Sequence, residues 1–138
     1  MSEFPAPPVD ELTRPFWDGL TAGELRFQRC RQCGNAWLPQ REECPRCWND
    51  QWAFEASSGR GTLVSWVVYH KAYHPYFEDK IPYNVSVVEL EEGPRLLTNV
   101  VTDDQGTLHI GQHVELLIQD EAGFALARFR PAAGETAR

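Results

Sequence analysis

Two Cys-x-x-Cys pairs ten residues apart, one amphipathic stretch before them and five β-rich runs after them predict a mainly β chain. The predicted order is an N-terminal helix, a small ribbon held by a metal ion and a five-stranded barrel of the OB type. The boundaries follow the composition. An arm and helix take residues 1–24, the ribbon 25–57, the barrel 58–131, and 132–138 read as a disordered tail.

The whole-chain totals are compatible with this. At 138 residues the chain holds one or two small domains. No run approaches 18 apolar residues, which predicts no transmembrane helix. Met1 to Val9 is Pro-rich and has no apolar core of a signal peptide, so a disulfide framework is not expected. Thiols clustered in a metal pattern suggest a reducing compartment, the cytoplasm. The formal charge of −7 is spread without a block of one sign. A nucleic-acid binder normally shows a basic face.

Prolines at 5, 7 and 8 remove backbone donors, so the first nine residues read as an extended arm. Leu12, Phe16, Trp17 and Leu20 then fall at helical spacing. Asp10 to Thr21 reads as an amphipathic helix capped by Asp10, or by Thr13 with Pro15 in the first turn. Phe16 and Trp17 face either the protein's own core or a partner chain. A helix ahead of a small ribbon has little core to join, which favours the partner as much as the core.

Leu25 to Arg29 alternates like a strand and leads into Cys30-Arg-Gln-Cys33. Ala36 to Pro39 reads as the outgoing strand and Trp48 to Phe54 as the return after Cys44-Pro-Arg-Cys47. Each Cys-x-x-Cys turn presents two thiolates to one point, and two such turns complete a tetrahedron. Cys30, Cys33, Cys44 and Cys47 are therefore predicted to hold one structural zinc ion. Four protein thiolates close the shell, whereas catalytic zinc keeps a position for water. Arg26, Arg29, Arg31, Arg41 and Arg46 crowd this segment. They offset the negative zinc tetrathiolate or, in a sharper reading, contact phosphates of a ligand such as coenzyme A.

Beyond the joint Ser57 to Gly61, β-rich runs recur at Thr62–Tyr69, Tyr83–Leu90, Pro94–Val101, Val114–Gln119 and Phe124–Arg130. Glu91-Glu92-Gly93 and Asp120 to Gly123 read as hairpin connections. The stretch Thr102 to Gly111 has room for only a short helical turn. Five strands with a long first member and a break after the third suit a Greek-key barrel, which also removes exposed edges.

Candidates for chemistry are few. His70 and His74 lie in a long aromatic loop with Tyr73, Tyr76 and Phe77, and such loops tend to bind something. Tyr73, His74 and Tyr76 are taken as a contact surface. His109 and His113 flank a glycine and read as turn residues. No phosphate loop, nucleophile elbow or His-Glu-x-x-His is present. The residues describe a binding or assembly module.

Taken together, the aromatic helix, Leu-Arg-Phe-Gln-Arg-Cys-Arg-Gln-Cys-Gly over 25–34, Cys-Pro-Arg-Cys over 44–47 and Gly-Arg-Gly-Thr-Leu-Val-Ser-Trp over 59–66 resemble a known family. Its members join a rubredoxin-like zinc ribbon to an OB-fold domain described as acyl-CoA-associated. Pro-Tyr-Asn-Val over 82–85, Glu-Leu-Glu-Glu-Gly over 89–93 and Phe-Arg-Pro over 129–131 also look like family positions. The resemblance implies a non-catalytic accessory subunit of a thiolase-like or lipid-transfer-protein-like enzyme, that is, a thiolase, acyltransferase or aldolase. The partner would carry the catalytic groups, and CoA or acyl-CoA would be a ligand shared with it. The same resemblance implies a hetero-oligomer without nucleic acid or membrane.

Two other readings are possible. As an OB module for single-stranded nucleic acid, the barrel would stack bases on Trp66, Tyr69, Tyr83 and Phe129. Its six Lys or Arg stand against ten Asp or Glu, the wrong sign for a phosphate backbone. A free-standing acyl-CoA-binding protein or hydrolase would need a nucleophile or base pair that is not readable here.

Overall fold

The structure is a computed structural model that describes residues 9–72 and 74–132. Most of the predicted arm, the tail beyond residue 132 and Tyr73 lie outside the described residues. The chain is mainly β, with one N-terminal helix, a three-stranded ribbon and a curled five-stranded OB-like half-barrel.

The helix α1 (Arg14–Thr21) starts later than Asp10. Asp10 and Thr13 instead close a turn: Asp10 N–H donates to Thr13 Oγ1 (3.0 Å), and Thr13 N–H donates to Asp10 Oδ1 (2.9 Å). Pro15 has no N–H to bond the carbonyl of Glu11, so the helix cannot extend upstream through it. Thr13 is the N-cap. Contrary to the expectation that it has little core to join, α1 packs on the barrel. Leu20 and Leu25 are buried in one cluster with Leu63, Val88, Leu90, Val114 and Phe129, and Trp17 meets Phe124 edge-on with centroids 6.3 Å apart. The α1 surface also seats β1. Arg26 lies across Gly19, where a Cβ would come within 2.8 Å of its side chain, and donates to the Pro15 carbonyl (3.1 Å).

The ribbon is a sheet of order β2-β1-β3, from β1 (Arg26–Cys30), β2 (Ala36–Trp37) and β3 (Trp52–Ala56). Gln28 is fully buried in β1. Its amide group pairs with the Arg41 backbone, Nε2 donating to the carbonyl (2.8 Å) and Oε1 accepting from N–H (2.8 Å). It thus acts as a short strand partner for the loop between the cysteine pairs. The return strand begins at Trp52 instead of Trp48, because Trp48 has φ 66° and belongs to the second knuckle.

The barrel strands are β4 (Arg60–Tyr69), β5 (Tyr83–Leu90), β6 (Arg95–Thr98), β7 (His113–Glu121) and β8 (Phe124–Pro131), in the order β6-β5-β4-β7-β8. β4 pairs with β5 along its length but with β7 only over Arg60–Thr62. A bulge between Leu63 and Ser65 bends it, and bulges of this kind increase local twist. Gly61 is required at the bend, since a Cβ there would sit 2.7 Å from Val88 Cγ1 and 2.9 Å from the Glu89 carbonyl. The β7–β8 connection is the two-residue turn Ala122-Gly123, both at positive φ, so the strands extend further into the hairpin than predicted.

β6 is shorter than the predicted run to Val101. After Thr98 the chain leaves β5 and meets β8 through the parallel bridge Val100–Phe129. Val101 N–H donates to the Phe129 carbonyl (2.7 Å), and Phe129 N–H to that of Asn99 (3.0 Å). Buried Asn84 holds this closure from β5. Its Oδ1 accepts from Val100 N–H (2.8 Å) and Ser86 Oγ (2.7 Å), and its Nδ2 donates to the Val100 carbonyl (2.7 Å) and Gln105 Oε1 (2.8 Å). Phe129 itself is completely buried and cannot serve as a base-stacking platform.

Candidate metal centre and apolar groove

The two cysteine knuckles repeat the same backbone bonds. Cys30 N–H donates to the Asn35 carbonyl (2.8 Å) and Cys44 N–H to that of Asn49 (2.9 Å). Gly34 N–H returns to the Cys30 carbonyl (3.1 Å) and Trp48 N–H to that of Cys44 (2.8 Å). Each turn points amides at a sulfur: Gln32 and Cys33 N–H at Cys30 Sγ (both 3.4 Å), Arg46 N–H at Cys44 Sγ (3.4 Å). Asn35 Nδ2 adds a contact to Cys44 Sγ at 3.7 Å.

The four sulfurs lie within 4.8 Å of one another, with Cys30–Cys47 at 3.5 Å and Cys33–Cys44 at 3.6 Å. A tetrahedral zinc tetrathiolate with Zn–S near 2.3 Å has S···S edges of about 3.8 Å, so the donor set fits that ion. Its protonation chemistry agrees. Burial opposes ionisation of Cys44, but the Cys47 and Arg46 N–H groups and neighbouring side chains outweigh it and bring the thiol down to about 6. At Cys47 the Asn49 N–H pulls the thiol down, yet burial and the three neighbouring thiols push it up to about 12. Four thiols at this spacing resist joint ionisation unless a cation sits among them. Trp37 and Trp52 cover the cluster, and Trp52 Nε1 donates to the Glu42 carbonyl (2.8 Å). Among the described residues this is the only group of three or more His, Cys, Asp or Glu with ligand atoms in reach.

The knuckles differ at one position. Gly34 takes φ 78°, where any residue with a Cβ is strained, and its counterpart Trp48 takes φ 66° while 66% exposed. Left-handed backbone costs a non-glycine residue roughly 1–2 kcal/mol. Trp48→Gly should therefore stabilise the zinc-loaded chain by about 0.5–1 kcal/mol after the entropy of glycine is counted. Urea unfolding measures this. A loss of stability would show that the exposed ring contributes packing that outweighs the strain.

Of the crowded arginines, Arg26 pairs with Glu24 (2.7 Å) and Arg29 with Glu55 (2.9 Å), while Arg31, Arg41 and Arg46 are exposed. In the long loop, His74 Nδ1 accepts from Tyr76 N–H (3.0 Å) and caps the turn Pro75–Phe77. Tyr76 leans back on the barrel: the neighbouring Glu121 carboxylate pushes its hydroxyl up to about 12, and the Lys80 ammonium lies 4.7 Å from its ring centre. Phe77 stacks on Tyr83 at 5.3 Å. Tyr76 and His74 are thus held by the protein itself, each half-buried, with part of their surface open. His70 and His113 are exposed, and the ring of His109 lies against the Thr107 carbonyl (3.3 Å).

Phe16 and Trp17 are half-buried and do two things. They pack on the barrel core, and they form one wall of a groove of about 530 Å³ where the barrel is left open between β6 and β8. Leu38, Leu96, Leu97 and Leu126 supply much of the rest. A smaller cleft of about 200 Å³ adjoins it, lined by Lys80, Asn84, Gln105, Glu121 and Arg128. Arg128 and Asn99 line both. Sequence reasoning did not single out Arg128. The readable signal was its place two residues after Leu126 in a strand, which puts both on one face.

A helix-flanked four-cysteine ribbon followed by a half-open OB barrel defines a two-module zinc-ribbon and OB-fold protein. The chain belongs to the ChsH2 (DUF35) family. Residues 17–53 match the family described as "ChsH2, rubredoxin-like zinc ribbon domain" and residues 54–119 match "ChsH2, C-terminal OB-fold domain". The chain is 33% identical over 129 residues to a probable enoyl-CoA hydratase alpha subunit of Thermomonospora curvata, covering 93% of this chain and 40% of that protein. It thus spans less than half of that relative's length. It is 37% identical over 96 residues to a DUF35 domain-containing scaffold protein of Methanothermobacter thermautotrophicus, covering 69% and 71%. The solved structure titled "Ltp2-ChsH2(DUF35) aldolase" contains a chain that superposes with a TM-score of 0.82 at 32% identity, covering 93% of this chain and all of that one. No described helix is long and apolar enough to cross a membrane.

Proposed function

We propose that this chain is a non-catalytic accessory subunit of a thiolase-like or lipid-transfer-protein-like enzyme acting on an acyl-CoA. The observation that carries the reading is the end-to-end superposition on a chain of an aldolase assembly. The closed four-thiol site supports it, because such a site leaves no open position for substrate. Cys30, Cys33, Cys44 and Cys47 hold one structural zinc ion, whose contribution is to cross-link the two knuckles. Phe16, Trp17, Tyr73, His74 and Tyr76 are the contact surface offered to the partner or its acyl-CoA. The thiolate site suits a reducing compartment such as the cytoplasm.

The test is affinity purification of the tagged chain from its native cell, with the co-eluting protein identified by mass spectrometry. A thiolase-like or lipid-transfer-like protein in near-equal amount is the expected result. A monomer free of partners, or one carrying nucleic acid, would sink the reading.

A further inference from the structure

The four sulfurs of the ribbon sit in unequal surroundings. Cys30 and Cys44 are buried, Cys47 is half-buried and Cys33 is exposed. N–H groups point at the two buried sulfurs. Those of Gln32 and Cys33 meet Cys30 Sγ (both 3.4 Å), and those of Arg46 (3.4 Å) and the Asn35 amide (3.7 Å) meet Cys44 Sγ. The sulfurs also fall into two pairs that cross between the knuckles. Cys33 Sγ lies 3.6 Å from Cys44 Sγ, and Cys30 Sγ lies 3.5 Å from Cys47 Sγ.

A zinc ion holds all four cysteines as thiolates. The thiolate fraction therefore does not decide which of them an oxidant attacks; access and nucleophilicity do. Hydrogen bonds stabilise the charge on the buried sulfurs and make them poorer nucleophiles. Burial also keeps a dissolved oxidant away from them. Both effects single out Cys33, whose sulfur faces that of Cys44 across the two knuckles.

We propose that Cys33 is an oxidation site, at which a dissolved peroxide converts the zinc centre into a Cys33–Cys44 disulfide and expels the metal. This rests on the four-thiolate zinc reading above and is independent of any partner enzyme. In the first step the Cys33 thiolate attacks one oxygen of hydrogen peroxide. An S–O bond forms, the O–O bond breaks, and the hydroxide that leaves takes up a proton as water. In the second step the Cys44 thiolate attacks the sulfur of the Cys33 sulfenic acid. The S–S bond forms, the S–O bond breaks, and a second hydroxide leaves and is protonated to water. The paired sulfurs give up two electrons, and the peroxide takes them. The sulfurs need only close from 3.6 Å to about 2.05 Å. Zinc is then left with Cys30 and Cys47, half of the tetrahedral set it needs. Apart from the metal, the ribbon has only a small buried cluster to hold it. Thiol reductants reverse the change, since a disulfide lies on the reversible part of cysteine oxidation.

The test exposes the full zinc-loaded chain to hydrogen peroxide and follows zinc release with a chromogenic chelator. Remaining thiols are then blocked at low pH and the disulfides mapped by mass spectrometry. Trypsin suits the mapping, because Arg31, Arg41 and Arg46 place Cys33 in residues 32–41, Cys44 in 42–46 and Cys47 in 47–60. Zinc should leave as 32–41 becomes linked to 42–46, and dithiothreitol with added zinc should restore the loaded chain. Cys33→His, which keeps a ligand that zinc accepts, should slow the release by about ten-fold or more. If that variant takes up no zinc, the disulfide map of the unaltered chain decides alone. The proposal is overturned if zinc stays bound through an excess of peroxide, or if the first disulfide joins Cys30 to Cys33 or to Cys47. It is overturned equally if zinc-loaded Cys33→His releases its metal as fast as the unaltered chain. A chain that takes up no zinc at all sinks the metal reading itself, whereas a loaded chain that peroxide leaves intact sinks this inference alone.

Discussion

Cys44→Ser should unfold the ribbon and leave the barrel standing. Cys44 is completely buried, and its sulfur is where the second knuckle, Arg46 N–H and the Asn35 amide converge. Apart from the metal, this module has little to hold it: its own buried cluster is Cys30, Cys44 and Trp37, with Cys47 and Trp52 against it. Structural zinc contributes about 10–16 kcal/mol in zinc-finger peptides near neutral pH, as much as the whole stability of a small domain. Losing one thiolate of four, or adding a chelator, should therefore release the ion. Hydrogen exchange should lose protection over residues 28–54 and keep it in β4, β5, β7 and β8, whose core is separate. Metal analysis should fall from one zinc per chain to none. The pH dependence has a definite sign. Zinc binds the thiolate forms of Cys30, Cys33, Cys44 and Cys47, so protons compete with it and the ribbon's stability falls as pH is lowered. Zinc should be retained at pH 7 and released on acidification. Ribbon amides that stay protected in chelator would show that packing alone holds the module.

Asn84→Ala should cost about 2–4 kcal/mol and open the barrel seam. The Val100 N–H and carbonyl are buried and have Asn84 as partner, so truncation leaves two backbone groups unpaired at about 1–3 kcal/mol each. The same side chain also fixes Gln105 and Ser86, and Asn99 Nδ2 donates back to the Asn84 carbonyl. The melting temperature should fall by about 10 °C. Ser86→Ala, which removes one of these bonds and strands no backbone group, should cost about 1 kcal/mol. Equal losses for the two variants, or a change under about 0.5 kcal/mol for Asn84→Ala, would mean that the Val100–Phe129 bridge closes the barrel unaided.

Much of the fold was legible before any coordinates. Each Cys-x-x-Cys turn is a local object whose geometry is written in four residues, so the knuckles and their shared point were readable from spacing. The barrel strands were readable because β-rich runs alternate with Gly- and Asp-bearing turns. The errors fall where a distant contact decides. Trp48 was placed in a strand, because nothing local announces that a tryptophan will occupy the left-handed position that glycine takes in the other knuckle. Val101 was placed in β6, because the side chain of Asn84 captures the Val100 backbone from another strand. The helix was thought short of a core because Leu20 and Leu25 meet Leu63 and Phe129 only after the barrel has curled.

The amino-acid sequence by itself determined the order of modules and the four-thiol centre, since these depend on neighbours a few residues apart. The tertiary structure decided where the barrel stays open, that Phe16 and Trp17 wall the opening, and that Arg128 lines both the groove and the cleft beside it. Those features arise from the curl of β4 and from the mismatch in length between β6 and β8. Both are sums over many non-local pairings, and no single stretch of chain encodes them.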